Sequence, residues 1–323
     1  MKLKSANEFP GMIGGGRQKK RLAVILAGGE GSRLRSLTQA ITGDDRPKQF
    51  CPILGGRTLL DLTRERSSLT VKPENTYYSL TATHSRYFSR LLWNVRHDQK
   101  IVQPENKGTA PAILYTLVRL ATHSPDATVV FLPSDHYLSD DEAFMKNVDS
   151  AFDAVDLDPD SVILLGIEPA KAEISYGWIE PVDSLFSDLS RSISRVRKFW
   201  EKPTAGVAKQ LLQMGCLWNS FVMVGKVTTF LEMYREQLPS MFRMFSAATT
   251  TIGKADEGAV IRAIYSWIDE TNFSSEILER SVDRLMVMRV SDVNWSDWGE
   301  PQRVLGTLKN IGIQTEWMQA LAA

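Results

Sequence analysis

Leu26-Ala27-Gly28-Gly29-Glu30-Gly31-Ser32-Arg33-Leu34 directly follows the first apolar, β-rich run of the chain, residues 22–27. Glycines at 28, 29 and 31 let the backbone approach a polyphosphate and turn its N–H groups toward it, and Arg33 adds a charge-assisted fork. Ala27, Gly28, Gly29, Gly31 and Ser32 are therefore the candidate nucleotide-binding stretch, with Arg33 facing the phosphates. Two better-known loops compete for the same residues. The stretch lacks the Gly-Lys-Ser/Thr ending of a P-loop, and its glycine spacing does not fit the dinucleotide fingerprint.

A strand that ends in such a loop predicts a layered α/β fold, and the chain beyond it agrees. Short apolar runs at 77–81, 101–103, 128–132 and 162–167 alternate with segments of helical period. Ala110, Ile113, Leu114, Leu117, Val118 and Ala121 share one helical face, and Phe144, Val148, Ala151 and Val155 share another. The expectation is a Rossmann-like, mostly parallel sheet with crossover helices and ligands at the C-terminal strand ends. After residue 167 the texture changes. Extended runs at 178–182, 193–199 and 217–224 mix with helical stretches at 205–214 and 228–237, which predicts a sugar-side subdomain over about 168–240. Residues 238–285 read as helical, and 285–290 return to a strand. Residues 1–20 read as a flexible tail, 21–310 as the working domain and 311–323 as a C-terminal tail.

Composition narrows the function. The 323 residues carry 38 Lys+Arg against 38 Asp+Glu, so no global charge draws the chain to nucleic acid or an anionic membrane. No apolar run approaches the roughly 18 residues of a bilayer span, and the first 21 residues have no apolar core of a signal peptide. Cys51 and Cys216 are too few and too far apart for a disulfide framework or a zinc knuckle, and buried thiols in a reducing cytosol are expected. The chemistry must come from local charge.

Arg46-Pro47-Lys48-Gln49-Phe50 supplies some of it, as a basic pair in a loop that proline keeps extended. Together with the glycine loop, this segment resembles the signature of sugar-phosphate nucleotidylyltransferases, the guanylyl branch in particular. Further matches follow in family order. Gln103-Pro104-Glu105-Asn106-Lys107-Gly108-Thr109-Ala110-Pro111-Ala112 is similar to the base-recognition segment of mannose-1-phosphate guanylyltransferases, and Pro133-Ser134-Asp135-His136 to the strand-end aspartate. Ser175-Tyr176-Gly177-Trp178-Ile179 resembles the sugar-binding turn. Glu201-Lys202-Pro203 and Leu217-Trp218-Asn219-Ser220 resemble the sugar and sugar-phosphate region, and Trp295-Ser296-Asp297-Trp298-Gly299 the second metal aspartate. The resemblance covers roughly residues 21 to 310 and is specific as an ordered set.

It implies in-line attack of a sugar 1-phosphate on the α-phosphorus of a nucleoside triphosphate, GTP favoured, with no protein nucleophile. Asp135 and Asp297 would hold Mg²⁺, which prefers hard oxygen ligands. Arg33 and Lys48 would face the triphosphate and Lys202 the sugar phosphate. Glu105, Gly108 and Thr109 would take the base: Glu105 could accept from the N1–H and 2-amino group of guanine, and N–H groups of the helix opening at Thr109 and Ala110 could read an acceptor edge. Tyr176, Gly177, Glu201 and Asn219 would bind the sugar. A homodimer is left open. Trp218 and Phe221 read as core packing, His136 as an orienting or packing group rather than a ligand, and the basic run Arg191, Arg195, Arg197 and Lys198 as a solvated face.

Departures gather on the sugar side. Ser175 and Phe221 stand where the family usually has glycine, and residues 272–276 lack an Asp-Tyr pair. The chain is expected to hold neither a β-helix nor an isomerase domain after Asp297. Two other classes remain open at this level: a catalytically silent regulatory subunit that binds a nucleotide sugar, and a nucleotide-dependent oxidoreductase, against which the glycine spacing argues.

Overall fold

The computed structural model describes residues 20–182, 193–315 and 317–318. The expected N-terminal tail, apart from Lys20, and Arg191 of the basic run lie outside the described residues. The strands are β1 (Arg21–Leu26), β2 (Thr76–Thr81), β3 (Lys100–Gln103), β4 (Thr128–Pro133), β5 (Tyr137–Leu138), β6 (Val162–Ile167), β7 (Trp178–Pro181), β8 (Ile193–Trp200), β9 (Leu217–Lys226), β10 (Leu285–Val290) and β11 (Trp295–Ser296). The helices are α1 (Arg35–Thr42), α2 (Leu59–Ser68), α3 (Ser85–Leu91), α4 (Thr109–Ala121), α5 (Asp141–Leu157), α6 (Ala205–Gln213), α7 (Val227–Gln237), α8 (Pro239–Ala247), α9 (Glu257–Trp267) and α10 (Pro301–Asn310).

Nine strands form one sheet in the order β3-β2-β1-β4-β9-β6-β10-β8-β7, with β7 also pairing with β9. The strands β3, β2, β1 and β4 pair in parallel, as do β6 and β10. The mostly parallel expectation needs correction in the middle. Strand β9 runs antiparallel between β4 and β6, and β8 runs antiparallel against both β10 and β7, so the sheet is mixed. Strands buried on both faces are apolar whichever way they run, so hydrophobic pattern carries no sign of direction. The pairing senses still point β1, β4, β6 and β10 the same way, and their C-terminal ends share one edge. The segment expected as a sugar-side subdomain contributes β7, β8 and β9 to this same sheet.

Period-two alternation divides the core into two layers. Leu22 and Val24 of β1, Val129 and Phe131 of β4, and Val162 and Leu164 of β6 join the cluster under α4, α7, α8 and α9. Their neighbours Ala23, Val130, Leu132, Ile163 and Leu165 join the opposite cluster under α5 and α6. Helix α5 starts where Asp140 accepts the Ala143 N–H at 2.8 Å, with Asp141 and Glu142 in the first turn to complement the helix dipole. Residues 311–315 and 317–318, expected as a tail, are held to the domain: Ile313, Trp317 and Met318 pack on the cluster of Leu34, Leu37, Trp298, Val304 and Leu308. No helix of the described residues is long and apolar enough to cross a membrane.

A two-stranded ribbon that the hydrophobic pattern does not show completes the cleft. Strand β11 pairs antiparallel with β5, Trp295 opposite Leu138 and Ser296 opposite Tyr137. Ser139 N donates to Asn294 O and Asn294 N to Ser139 Oγ, each at 2.9 Å. The ribbon carries the segment after β10 across to the segment after β4, and so brings Asp297 to Asp135.

Candidate active site

The glycine loop leaves the end of β1 and is held from three sides. Gln49 Nε2 donates to Ala27 O at 3.1 Å and to Gly29 O at 2.8 Å. Thr81 Oγ1 donates to Gly28 O at 2.9 Å and accepts from Gln103 Nε2 at 2.9 Å. The Tyr265 hydroxyl donates to Gln103 Oε1 at 3.0 Å. A hydrogen-bonded chain thus runs from α9 to the loop carbonyl, and because the Thr81 proton is spent on Gly28, the Gln103 amide can face Thr81 only with its nitrogen. At Gly31 the backbone has φ +59°, and a Cβ there would meet Lys48 N at 3.2 Å. The glycine is needed for both reasons.

Lys48 is the charged centre. Its side chain is 7% exposed, and Nζ lies 3.2 Å from Asp135 Oδ2, donates to Trp298 O at 3.1 Å and donates to Asp297 O. Arg33 is exposed, and its guanidinium lies over Gly299, where a Cβ would come within 3.1 Å of Nη2. Asp297 Oδ1 accepts from Gly299 N at 2.8 Å, Tyr176 Oη at 2.9 Å and Arg303 Nη1 at 2.7 Å. Burial pushes the Asp297 pKa up, but Lys48 foremost, with the Gly299 N–H and Arg303, outweighs it and holds the carboxyl below the usual carboxylate range. Burial lowers the His136 imidazole to about 4, so it is neutral near pH 7, and its ring meets Trp295 edge to face at 5.2 Å.

Two adjoining cavities open here. The larger, about 360 Å³, runs from Gly28, Gly29, Asp135 and His136 to Gln103, Asn106, Gly108, Thr109, Glu270 and Asn272. The smaller, about 220 Å³, is lined by Ser175, Tyr176, Gly177, Glu201, Asn219, Ser274, Trp295 and Asp297. Thr109, His136, Phe221 and Asn272 line both. Of the expected nucleotide residues, Gly28, Gly29, Gly108 and Thr109 line the larger cavity, while Ala27, Gly31 and Ser32 line neither; the four expected sugar residues line the smaller.

Some expectations shift. Glu105 is exposed and does not line the larger cavity; its carboxylate at the far end is Glu270. The Ala110 N–H, expected to read a base, donates instead to Thr271 O at 3.0 Å, and Thr109 Oγ1 accepts from Phe273 N at 2.8 Å. One N–H of the helix start thus holds the 269–273 loop, while Thr109 and Ala112 still line the larger cavity, and Thr271 N closes the clamp on Lys107 O at 2.9 Å. Gly108 permits this contact: φ is +85° and a Cβ would fall 2.4 Å from Thr271 O. Lys202 has φ +47°, is 59% exposed and pairs with Glu201 Oε1 at 3.3 Å, at the rim of the smaller cavity rather than beside Lys48. Trp218 packs as expected, and Phe221 packs on the core as expected but also walls both cavities.

Arg303 is not marked by its sequence context. Besides Asp297 it donates to Tyr176 Oη and Ser175 Oγ, each at 2.8 Å, and pairs with Glu173 Oε2 at 2.9 Å. Its place at the third position of α10, after Pro301, gives no hint of these partners, which lie more than 120 residues away in the chain or across a tight turn. Among the described residues, no three His, Cys, Asp or Glu side chains cluster as a metal centre. The two carboxylates Asp135 and Asp297, joined by hard phosphate oxygens, are a donor set that suits Mg²⁺.

Comparison with known proteins agrees with this geometry. Residues 22–311 match the nucleotidyl transferase family model. The chain is 27% identical over 302 residues to the xanthan biosynthesis protein XanB of Xanthomonas campestris, covering 90% of this chain and 60% of that protein. It is 27% identical over 297 residues to the mannose-1-phosphate guanylyltransferase of Escherichia coli, covering 87% and 58%. The chain thus spans about 60% of the length of these curated relatives. A crystal structure from Thermus thermophilus, named a mannose-1-phosphate geranyltransferase, superposes with a TM-score of 0.75 at 25% identity, over 92% of this chain and 80% of that one. A UDP-glucose pyrophosphorylase complexed with UDP-glucose shares the fold at 15% identity and a TM-score of 0.55, over 91% and 99%. With the family model spanning nearly all of the sheet and both cavities, the chain belongs to the nucleotidyl transferase family.

Proposed function

We propose that the chain transfers a nucleotidyl group from a nucleoside triphosphate to a hexose 1-phosphate and releases pyrophosphate, with GTP and mannose 1-phosphate as the favoured pair and GDP-mannose as product. The observation that carries this reading is the position of Lys48. Its ammonium is buried against Asp135, which lines the larger cavity, and against the carbonyls of residues 297 and 298, next to the Asp297 side of the smaller one.

The chemistry needs two anions held together. An oxygen of the sugar 1-phosphate attacks the α-phosphorus, the α–β bridging bond breaks, and pyrophosphate leaves with its electron pair. The loop from Ala27 to Ser32 would cradle the triphosphate with backbone N–H groups, and Lys48 and Arg33 would neutralise charge that grows on the phosphate oxygens. Asp135 and Asp297 would hold Mg²⁺, which when bound supplies further neutralisation of those oxygens. Tyr176, Gly177, Glu201 and Asn219 would orient the sugar, and Lys202 would close over its phosphate from the rim. Glu270 at the far end of the larger cavity supports a guanine preference, because a carboxylate accepts from the N1–H and 2-amino donors together.

Pyrophosphate release measured with Mg²⁺ across the common triphosphates and mannose, glucose and related 1-phosphates tests the reading. GTP with mannose 1-phosphate is expected to give the highest kcat/KM. Absence of release across the whole matrix, with nucleotide sugars still bound, would replace the enzyme with a binding subunit.

A further inference from the structure

Phe221 has φ +59°, a conformation that side chains rarely adopt and glycine takes without cost. Its neighbours build the bend. Asn219 Oδ1 accepts the Phe221 N–H at 3.0 Å, and Ser220 Oγ donates to Leu165 O at 2.6 Å while accepting from Val222 N at 3.2 Å. The register between β9 and β6 shifts across this stretch, between Leu164 and Gly166. None of these bonds uses the Phe221 side chain. The half-buried ring packs against the core, meets Phe273 edge on at 6.3 Å, and walls both cavities where they join. A bulky residue in a backbone conformation made for glycine is therefore retained where its bulk faces ligand space.

We propose that the Phe221 ring is a size filter at the junction, which admits compact, unsubstituted hexose 1-phosphates and excludes N-acylated ones. The smaller cavity holds about 220 Å³, and the ring forms its wall together with two anchored aromatic side chains. Tyr176 is held through Asp297 and Arg303, and Trp295 through His136. Without the phenyl group, the space it fills becomes continuous with both cavities. The inference rests on the reading of the smaller cavity as the sugar site.

The test compares the wild type with Phe221→Gly and Phe221→Leu. Binding of mannose 1-phosphate, glucose 1-phosphate and N-acetylglucosamine 1-phosphate is measured by calorimetry, and pyrophosphate release with GTP in parallel. The wild type is expected to disfavour the N-acetylated sugar at least ~10-fold, Phe221→Gly to lose about that factor, and Phe221→Leu to fall between them, the scale set by steric discrimination in closed pockets. Melting of Phe221→Gly reads the backbone strain relieved against the packing on Phe273 and the core that is lost. An unchanged sugar ratio in Phe221→Gly, or a wild type that binds the N-acetylated sugar equally well, overturns the filter. If Phe221→Gly does not fold, the Phe221→Leu ratio decides. Altered binding ratios with no pyrophosphate release would uphold the filter and overturn the transfer reaction, whereas no binding of any of the three sugars would overturn both.

Discussion

Arg303 Nη1 donates to Asp297 Oδ1 over 2.7 Å and to the Tyr176 hydroxyl over 2.8 Å, so one guanidinium ties the Asp297 carboxylate to the turn at Tyr176. The guanidinium carbon lies 4.7 Å from the Tyr176 ring centroid, and the other terminal nitrogen reaches Ser175 and Glu173. Both terminal nitrogens are engaged by protein acceptors, which makes Arg303 a positioning residue for Asp297 and Tyr176. Arg303→Ala removes the guanidinium from Asp297 and Glu173, 16% and 10% exposed, and leaves Lys48 and Lys171 as their remaining cations. A loss of roughly 2 kcal/mol, the scale of hydrogen bonds to charged groups, is expected by urea unfolding. Arg303→Lys should recover less than half, because an ammonium cannot reproduce the fork.

Lys48 has a different failure mode. Lys48→Met removes the ammonium from Asp135 and from the carbonyls of residues 297 and 298. Steady-state kinetics should show kcat down by about 10²–10³-fold with a smaller change in KM for the sugar phosphate, as for a group that stabilises developing charge. An equal rise in both KM values at constant kcat would assign Lys48 to ground-state binding instead.

Gly108→Ala should be costly although no ligand touches the new methyl group. The residue has φ +85°, and its Cβ would fall 2.4 Å from Thr271 O, inside the clamp that holds the 269–273 loop. Strain and clash together predict a loss of about 2 kcal/mol or more in chemical denaturation. Gly29→Ala is the contrast: the added methyl group meets open space, and stability should stay within about 0.5 kcal/mol of wild type.

Cys51 should resist alkylation in the folded state. Its thiol is fully buried, and burial pushes its pKa up to about 12. The thiolate is the reactive form, so at pH 8 only about one molecule in 10⁴ carries it, and the fraction grows tenfold for each pH unit upward. Iodoacetamide at pH 8, read by mass spectrometry, should leave Cys51 unmodified until denaturant is added. Rapid native labelling would show that the surrounding packing opens.

Much of the fold is legible in the sequence because buried strands and amphipathic helices have different periods. The runs at 162–167 and 285–290 coincide with β6 and β10, and most other elements agree within two residues. The ribbon of β5 and β11 is not legible, since two-residue strands have no period to read. At the site, ordered local motifs point to the glycine loop, Lys48, Asp135, Tyr176 and Asp297. Glu105 is expected at the base because it stands inside such a motif, yet it does not line the larger cavity, whereas Glu270, exposed like it, does so from a loop without a motif.

The sequence by itself determined what is local: a glycine loop after an apolar strand, a lysine behind a proline, aspartates in short signatures, and side chains whose alternation sorts them to two faces of a sheet. Tertiary structure alone decided which of these meet. The reversal of β9, the β5–β11 ribbon that joins Asp135 to Asp297, the reach of Arg303 across to Tyr176, and the turn that aims Phe221 into the cavities all depend on contacts between distant segments. Such contacts form from backbone hydrogen bonds and close packing, which are open to nearly any residue, so the partners leave no mark in the order of the amino acids.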